Sequence, residues 1–322
     1  MKILITGCCG FIGFSFANFL AKSNKKVKIV GIDNLDNYYS VNLKKDRLKL
    51  LSRYKNFNFF KLDLENFKLL DKIFKRNKFD YIFHLAAQAG VRYSIINPKK
   101  YIKSNVNGFF NIIELSRHNK IKKIFYASSS SVYGDSKIFP LHEKNIINPK
   151  NIYGLTKKFN EELAEIFSNY YNMKFIGLRF FTVYGEWGRP DMMILKYIEA
   201  SIKKKIFYLY NYGNHTRDFT YIGDVIKIMD KLIRLKTKQN HEIFNICSNR
   251  PIEIIKIINS LSSLTNIPII KKISFQKADV LKTHGSNKKI TKFLKFNKFT
   301  NINNGLFNTF TWYKNYLQHH QK

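Results

Sequence analysis

Short apolar runs punctuate the first half of the chain at residues 2–6, 27–32, 57–62, 81–85, 123–127 and 174–180. Between several of them lie segments whose apolar residues recur three and four apart, as in 11–20, 67–74 and 107–116, the spacing of a helix that buries one face. Strands alternating with helices predict parallel strands joined by crossover helices, because a parallel neighbour can be reached only by a long return connection. Two or more such units give an α/β fold with a doubly wound parallel sheet, whose ligands sit at the carboxyl ends of the strands. The regularity falls after about residue 187. Gly213-Asn214-His215 reads as a turn, 224–235 as a helix, and the asparagine-rich 297–305 as a loop before a last helix carrying Trp312, Tyr313 and Tyr316. We therefore expect a first domain over 1–186 and, over 187–322, mainly a smaller C-terminal α/β lobe that completes a cleft. There is no internal repeat and no flexible linker.

Composition changes this picture little. The chain has 322 residues, 45% of them hydrophobic and 24% charged, the balance of a globular protein rather than a disordered one. No apolar run reaches the length of a membrane span, since His84, Arg92 and lysine pairs interrupt every candidate. Met1 leads directly into a strand-like run with no apolar leader, so the expectation is a cytoplasmic protein with no membrane partner. The net charge of +34 raises the question of nucleic acid. Its lysine doublets, however, such as Lys44-Lys45, Lys122-Lys123 and Lys271-Lys272, are scattered over the whole chain, whereas a nucleic-acid footprint needs clustering on one face. We expect a solvated basic surface that attracts an anionic substrate, and no nucleic acid. Cys8, Cys9 and Cys247 lack metal-ligand spacing, so neither a metal site nor a disulfide framework is expected.

The chemistry starts at Gly7-Cys8-Cys9-Gly10-Phe11-Ile12-Gly13, which follows the first strand and opens the first helix. Gly7 allows a tight turn, Gly10 lets backbone approach a pyrophosphate, and Gly13 lets the helix pack on the strand. The helix N-terminus offers the phosphates unpaired N–H groups and a positive dipole end. Asp33 ends the second strand 20 residues after Gly13, the position of a carboxylate that binds a ribose 2′-hydroxyl. Asn34-Leu35-Asp36 follows it with no arginine, which favours NAD over NADP.

The Gly-x-x-Gly-x-x-Gly spacing resembles that of the extended short-chain dehydrogenase/reductase family, also known as NAD-dependent epimerases and dehydratases. The resemblance implies a Rossmann-like cofactor domain and assigns further cofactor contacts to Phe11, Ile12, Asn34, Phe180 and the pair Asp63-Leu64, which lies by the adenine. It also runs Leu85-Ala86-Ala87-Gln88 under the cofactor and makes Asn105 its support.

Such chemistry needs a base that removes a hydroxyl proton as hydride leaves the same carbon. A tyrosine with a free pKa of about 10 is suited to this only when a neighbouring ammonium stabilises its phenolate, and Tyr and Lys four apart share a helix face. Three pairs match: Tyr133/Lys137, Tyr153/Lys157 and Tyr170/Lys174. The first runs into a loop and Pro140, and the third sits at a helix end. Tyr153 alone opens a convincing helix, over 153–167, in which Leu155, Phe159, Leu163 and Ile166 form a separate stripe expected to face the core. The third catalytic group is a hydroxyl of Ser128-Ser129-Ser130-Ser131, and the family register selects Ser129.

Dehydratases and decarboxylases of the family carry an acid beside this hydroxyl. Ser130 and Ser131 stand there instead, which leaves oxidation to a 4-keto sugar, rotation, and return of hydride to the other face. The arginine of Arg189-Pro190-Asp191-Met192 is suited to gripping a carboxylate, with Thr182 and the serine hydroxyls. Together with Asp36-Asn37-Tyr38-Tyr39, Ala89-Gly90-Val91-Arg92-Tyr93-Ser94 and Arg217-Asp218-Phe219-Thr220-Tyr221, these segments resemble the family's 4-epimerases of UDP-linked uronic acids, from residue 1 to about 235. That resemblance implies conversion of UDP-glucuronate to UDP-galacturonate. Arg217 then meets the diphosphate, and Gln276 and Asp279 lie near the nucleotide, although relatives usually have Pro-Gly before that Asp where this chain has Lys277-Ala278. It further implies a homodimer formed through two helices of the first domain. The rival readings are a UDP-glucose/galactose 4-epimerase and, from another class, a nucleic-acid-binding protein on a nucleotide-binding scaffold.

Overall fold

The computed structural model describes residues 1–320. Its strands are β1 (Lys2–Thr6), β2 (Lys28–Asp33), β3 (Phe57–Lys61), β4 (Tyr81–His84), β5 (Lys123–Ser129), β6 (Phe175–Phe180), β7 (Thr182–Tyr184), β8 (Ile206–Tyr210), β9 (Thr216–Tyr221), β10 (His241–Ile246), β11 (Pro251–Glu253) and β12 (Ile269–Ile273). The helices of the first half are α1 (Phe11–Ser23), α2 (Val41–Leu51), α3 (Phe67–Arg76), α4 (Tyr93–Ile96), α5 (Pro98–Tyr101), α6 (Gly108–His118) and α7 (Ile152–Tyr171). The later ones are α8 (Met193–Ile202), α9 (Ile222–Ile233), α10 (Ile254–Ser262), α11 (Lys288–Leu294) and α12 (Ile302–His320).

Seven parallel strands make the main sheet in the order β10-β6-β5-β4-β1-β2-β3. The expected α/β doubly wound fold is therefore present, with the order reversing beside β1, where a ligand crevice opens. Both faces are buried along the inner strands, which is why these read as continuous apolar runs, while the edge strand β3 is only half-buried. Val30, Leu4, Ile82, Ile124 and Phe175 stand in register across five strands and pack against α3, α6 and α7. On the other face Ile3, Ile5, Phe83 and Phe125 meet Phe14 and Phe16 of α1 and Val225 and Met229 of α9. A smaller lobe pairs β11-β9-β7 and β12-β8 around Tyr197, Phe207, Leu209, Ile257 and Leu306.

Three expectations change. The chain does not divide cleanly at 187, because β10, α9 and α11 return to the main sheet after the second lobe has begun. The asparagine-rich loop ends earlier than residue 305. There Asn301 turns its side-chain oxygen to the Asn303 N–H at 2.9 Å, and α12 starts at Ile302. Three residues of the α7 stripe face outward rather than to the core, Leu155 54%, Phe159 40% and Ile166 51% exposed, while Leu163 is half-buried and packs against the core as expected. The buried face of α7 instead carries Thr156, Lys157, Asn160, Glu161 and Ala164. Its charge is matched by an ion pair between Glu161 and Arg179 of β6 (2.7 Å) and by the Ser128 hydroxyl donating to Glu161 (2.5 Å), while the buried Asn160 side-chain amide has no hydrogen-bond partner among the described residues. Burial of a charged residue is tolerated when it is paired and hydrogen-bonded in this way.

His84, at the end of β4, is buried with its Nδ1 3.0 Å from the Thr6 hydroxyl, and burial, helped by the charge of Lys157, pushes its pKa down to about 3. A depressed histidine pKa means that the unfolded chain takes up a proton, near pH 6.5, that the folded chain refuses. Its contribution to stability is thus complete above about pH 6.5 and is lost as pH falls toward 3. Urea unfolding should show His84→Leu flattening the decline in stability between about pH 7 and pH 5, by roughly 2 kcal/mol relative to the parent. Parallel declines in the two proteins would refute this.

Candidate active site

The glycine segment forms a cradle that larger residues cannot occupy. Gly7 turns with φ +70° and donates to the Ile32 carbonyl at 2.7 Å, and a Cβ there would lie 2.7 Å from the Ala86 nitrogen. A Cβ on Gly13 would lie 2.1 Å from the Gly7 oxygen. Gly10 caps α1 with no side-chain hydrogen bond, so the first N–H groups of the helix stay free for an anion. Asp33 holds its carboxylate at the end of β2 by accepting from the Cys9 N–H (3.0 Å) and the Leu35 N–H (2.8 Å). Burial raises its pKa, against the pull of the Leu35 and Cys9 amides and the charges of Lys44 and Arg47.

Gly7, Gly10, Phe11, Ile12, Gly13, Asp33, Asn34, Asp63, Leu64, Leu85, Ala86, Ala87, Gln88, Tyr153, Lys157 and Phe180 all line one cavity of about 460 Å³. Asn34 donates to Asp63 at 2.9 Å across it. Asn105 does not line the cavity but stands behind it. From a π-helical turn, Ile102–Asn107, it accepts from the Gln88 N–H at 2.7 Å and donates to the Gln88 carbonyl and the Thr156 hydroxyl, both at 3.1 Å. These contacts tie the tail of β4 to α7.

Tyr153, Lys157 and Ser129 converge on the same cavity. Lys157 is buried and donates to the Ala127 carbonyl at 2.9 Å, and burial pushes its pKa down to about 8 against the opposing charge of Glu161. Burial raises the Tyr153 phenol, while a hydrogen bond with Ser129 and the charge of Arg189 pull it back. Ser129 in turn accepts from the Ser131 N–H at 3.1 Å, which fixes its oxygen. The other two Tyr/Lys matches are structural. Tyr133 is buried, donating to Asn245 at 2.7 Å and accepting from Arg179 at 2.8 Å, and Tyr170 is exposed. The assembled group can move a proton at a hydroxyl placed next to whatever fills the cradle.

A second cavity of about 550 Å³ adjoins the first and shares Phe11, Tyr38, Val183, Arg189 and Met192 with it. Thr182, Arg189, Arg217 and Asp279 line it. Ser130 and Ser131 line neither cavity, because the chain turns away from the sheet into a 3-10 turn, Ser130–Tyr133. Gln276 is also outside, its amide donating to the Ser274 carbonyl at 3.3 Å. Arg217 donates to the carbonyls of Val280 (2.6 Å), Leu281 (2.9 Å) and Thr216 (3.0 Å), and burial, partly offset by Asp279, brings its pKa down to about 10.

Several lining residues had no assigned role. Arg92 grips Asp279 through two hydrogen bonds, 3.1 and 2.6 Å, and stacks over Tyr210. His215, Tyr38 and Asp191 also line the second cavity. Arg92, Tyr38 and Asp191 lie inside segments that carry the family resemblance, and that was the signal available. His215 had none beyond its turn.

Comparison with known proteins follows the same lines. A family model described as "NAD dependent epimerase/dehydratase family" matches residues 3–247. Protein CapI of Staphylococcus aureus is 40% identical over 99% of this chain and 100% of its own length. The UDP-glucuronate 4-epimerase of Thermodesulfobacterium geofontis is 37% identical over 98% of this chain and 97% of its own. Among solved structures, the UDP-glucuronic acid 4-epimerase of Bacillus cereus, in complex with UDP-glucuronic acid and NAD, superposes with a TM-score of 0.92. It is 29% identical, covering 98% of this chain and 100% of that one.

Proposed function

Because the chain belongs to the NAD dependent epimerase/dehydratase family, we propose that it is an isomerase that converts UDP-glucuronate to UDP-galacturonate through a transient 4-keto sugar. The observation that carries this reading is the joining of two cavities at Arg189, with Tyr153, Lys157 and Ser129 on the cradle side. The cradle fits NAD, since the glycines leave no room for side chains and the open α1 terminus and Asp33 suit a pyrophosphate and a ribose. When bound, NAD supplies a reversible hydride acceptor for the sugar C4.

Each side chain then has a task. Tyr153 removes the proton from the 4-hydroxyl and returns it after the sugar has turned. Lys157, held on the Ala127 carbonyl, stabilises the phenolate by its charge. Ser129 positions the hydroxyl between substrate and tyrosine. Arg189 and Thr182 hold the carboxylate, and Arg217, Asp279 and Arg92 frame the nucleotide end. Holding that carboxylate matters because the intermediate is a β-keto acid, which loses CO2 readily unless its carboxylate is fixed in an unfavourable orientation. We assign NAD binding to residues 1–186 and sugar-nucleotide binding mainly to 187–322, with β10, α9 and α11 returning to support the first domain.

Purified protein incubated with UDP-glucuronate and no added NAD should yield UDP-galacturonate without a pentose. Interconversion of UDP-glucose and UDP-galactose, with UDP-glucuronate untouched, would overturn the uronate reading in favour of the neutral-sugar epimerase.

The outward stripe of α7 supports a homodimer. Leu155, Phe159 and Ile166 lie exposed together with Phe110 of α6, whose ring is 6.3 Å from that of Phe167. An exposed apolar face of this kind marks an association surface. Phe159→Asp should shift sedimentation from dimer to monomer, and an unchanged dimer would place the interface elsewhere. No described helix is long and apolar enough to cross a membrane. We place the enzyme in the cytoplasm, supplying an acidic sugar nucleotide for polysaccharide biosynthesis.

A further inference from the structure

Arg189 is the side chain assigned to the substrate carboxylate, yet part of its donor set is already held by a carboxylate of the protein. Asp191 accepts from Arg189 Nε at 3.0 Å and from Nη2 at 2.5 Å. The Tyr38 hydroxyl donates to the same Asp191 oxygen at 3.1 Å, and all three residues line the sugar cavity. The two charged side chains remain partly open, 21% and 24% exposed, so they stand at the cavity wall rather than deep inside the protein. Burial pushes the Asp191 carboxyl up, but the charge and hydrogen bonds of Arg189 outweigh it and hold the pKa below the usual value, so the group stays ionised.

A guanidinium grips a carboxylate most firmly through two parallel N–H donors. Asp191 occupies one such edge and cancels most of the charge. A substrate carboxylate is left with a weaker contact to a neutralised arginine. For a 4-epimerase this has a kinetic meaning. The sugar must present first one face and then the other to a fixed hydride acceptor, so the group that holds the carboxylate must not lock the ring. Binding gained by the ground state and not by the turning sugar or the transition state lowers KM and kcat together.

We propose that Asp191 is a positioning residue that keeps the grip of Arg189 on the uronate weak enough for the 4-keto sugar to turn. The inference rests on the uronate reading of the proposed function. Tyr38 holds the outer oxygen of Asp191 and so keeps it seated on the arginine.

The test compares Asp191→Asn and the parent holoenzyme, with Tyr38→Phe as a milder variant that loosens Asp191 without changing charge. Freed of its internal partner, Arg189 should chelate the substrate carboxylate. Both KM for UDP-glucuronate and kcat should then fall about tenfold, the order expected from one added charge-assisted hydrogen bond. Calorimetry should show UDP-glucuronate binding tightened by a similar factor, while UDP and UDP-glucose, which lack the carboxylate, change less than about twofold. Tyr38→Phe should shift the same quantities in the same direction by less. A raised KM, a fall in KM with kcat unchanged, or equal changes for UDP-glucose would overturn the proposal. If the parent itself fails to turn over UDP-glucuronate, the uronate reading falls. The calorimetric comparison still decides whether Asp191 restrains Arg189.

Discussion

Tyr153→Phe is expected to lower kcat for UDP-glucuronate about a thousandfold, within the range for loss of a positioned acid–base group, while KM changes little. The substitution removes one oxygen from a half-buried ring that sits 6.2 Å from the Tyr101 ring in an edge-on arrangement. The packing of that ring survives without the hydroxyl. Its functional partners, Ser129 and Lys157, are held independently by the Ser131 amide and the Ala127 carbonyl. The rest of the site should therefore keep its geometry, and the loss should be confined to proton transfer. Initial rates with separated UDP-sugar products measure it. A decline below tenfold would mean that another group takes the 4-hydroxyl proton.

Gly13→Ala is expected to abolish NAD affinity, by a hundredfold or more, and to destabilise the protein by roughly 1–3 kcal/mol, the cost of forcing a methyl into closed packing. The added Cβ would lie 2.1 Å from the oxygen and 2.8 Å from the carbonyl carbon of Gly7. Both are backbone atoms, so no side chain can swing aside and the turn itself must move. That turn places the N–H groups of α1, and Gly7 is fixed by its own hydrogen bond to Ile32. Titration with NAD and thermal unfolding with and without it test the two effects together. Retained NAD affinity would show that the loop can shift without losing its anion site.

The site was legible in the sequence to different depths. The placement of the cradle was the most legible part, since every cofactor residue expected there lines the first cavity apart from Asn105, which braces it from behind. Tyr153 was separable from its two competitors because a helix register follows it and not the others. The second cavity was less legible. Arg189 was visible as a carboxylate binder, but its partner Asp191, two residues on, had been quoted without a role. Ser130 and Ser131, expected at the substrate from the serine run, and Gln276, expected there from the family resemblance, do not line either cavity. The pairing of Arg92 with Asp279 joins residues 187 apart, and no local signal announces it.

What the amino-acid order determined by itself is everything set within one turn or one strand. That comprises the alternation of strands and helices, the glycine turn into α1, the carboxylate at the end of β2, and the Tyr and Lys on one helix face. These rest on periodicity, on steric limits at glycine and on helix-end chemistry, all local effects. The tertiary structure alone decided which face of α7 is buried. By period the apolar stripe should have faced inward, but the sheet offers that helix Arg179 and Ser128, and a buried charge must be matched. It likewise decided that β10 closes the first sheet and that Asp191, held by Tyr38 from 153 residues away, rests on Arg189. Charges and apolar faces choose partners by distance in space, and that distance exists only after the chain has folded.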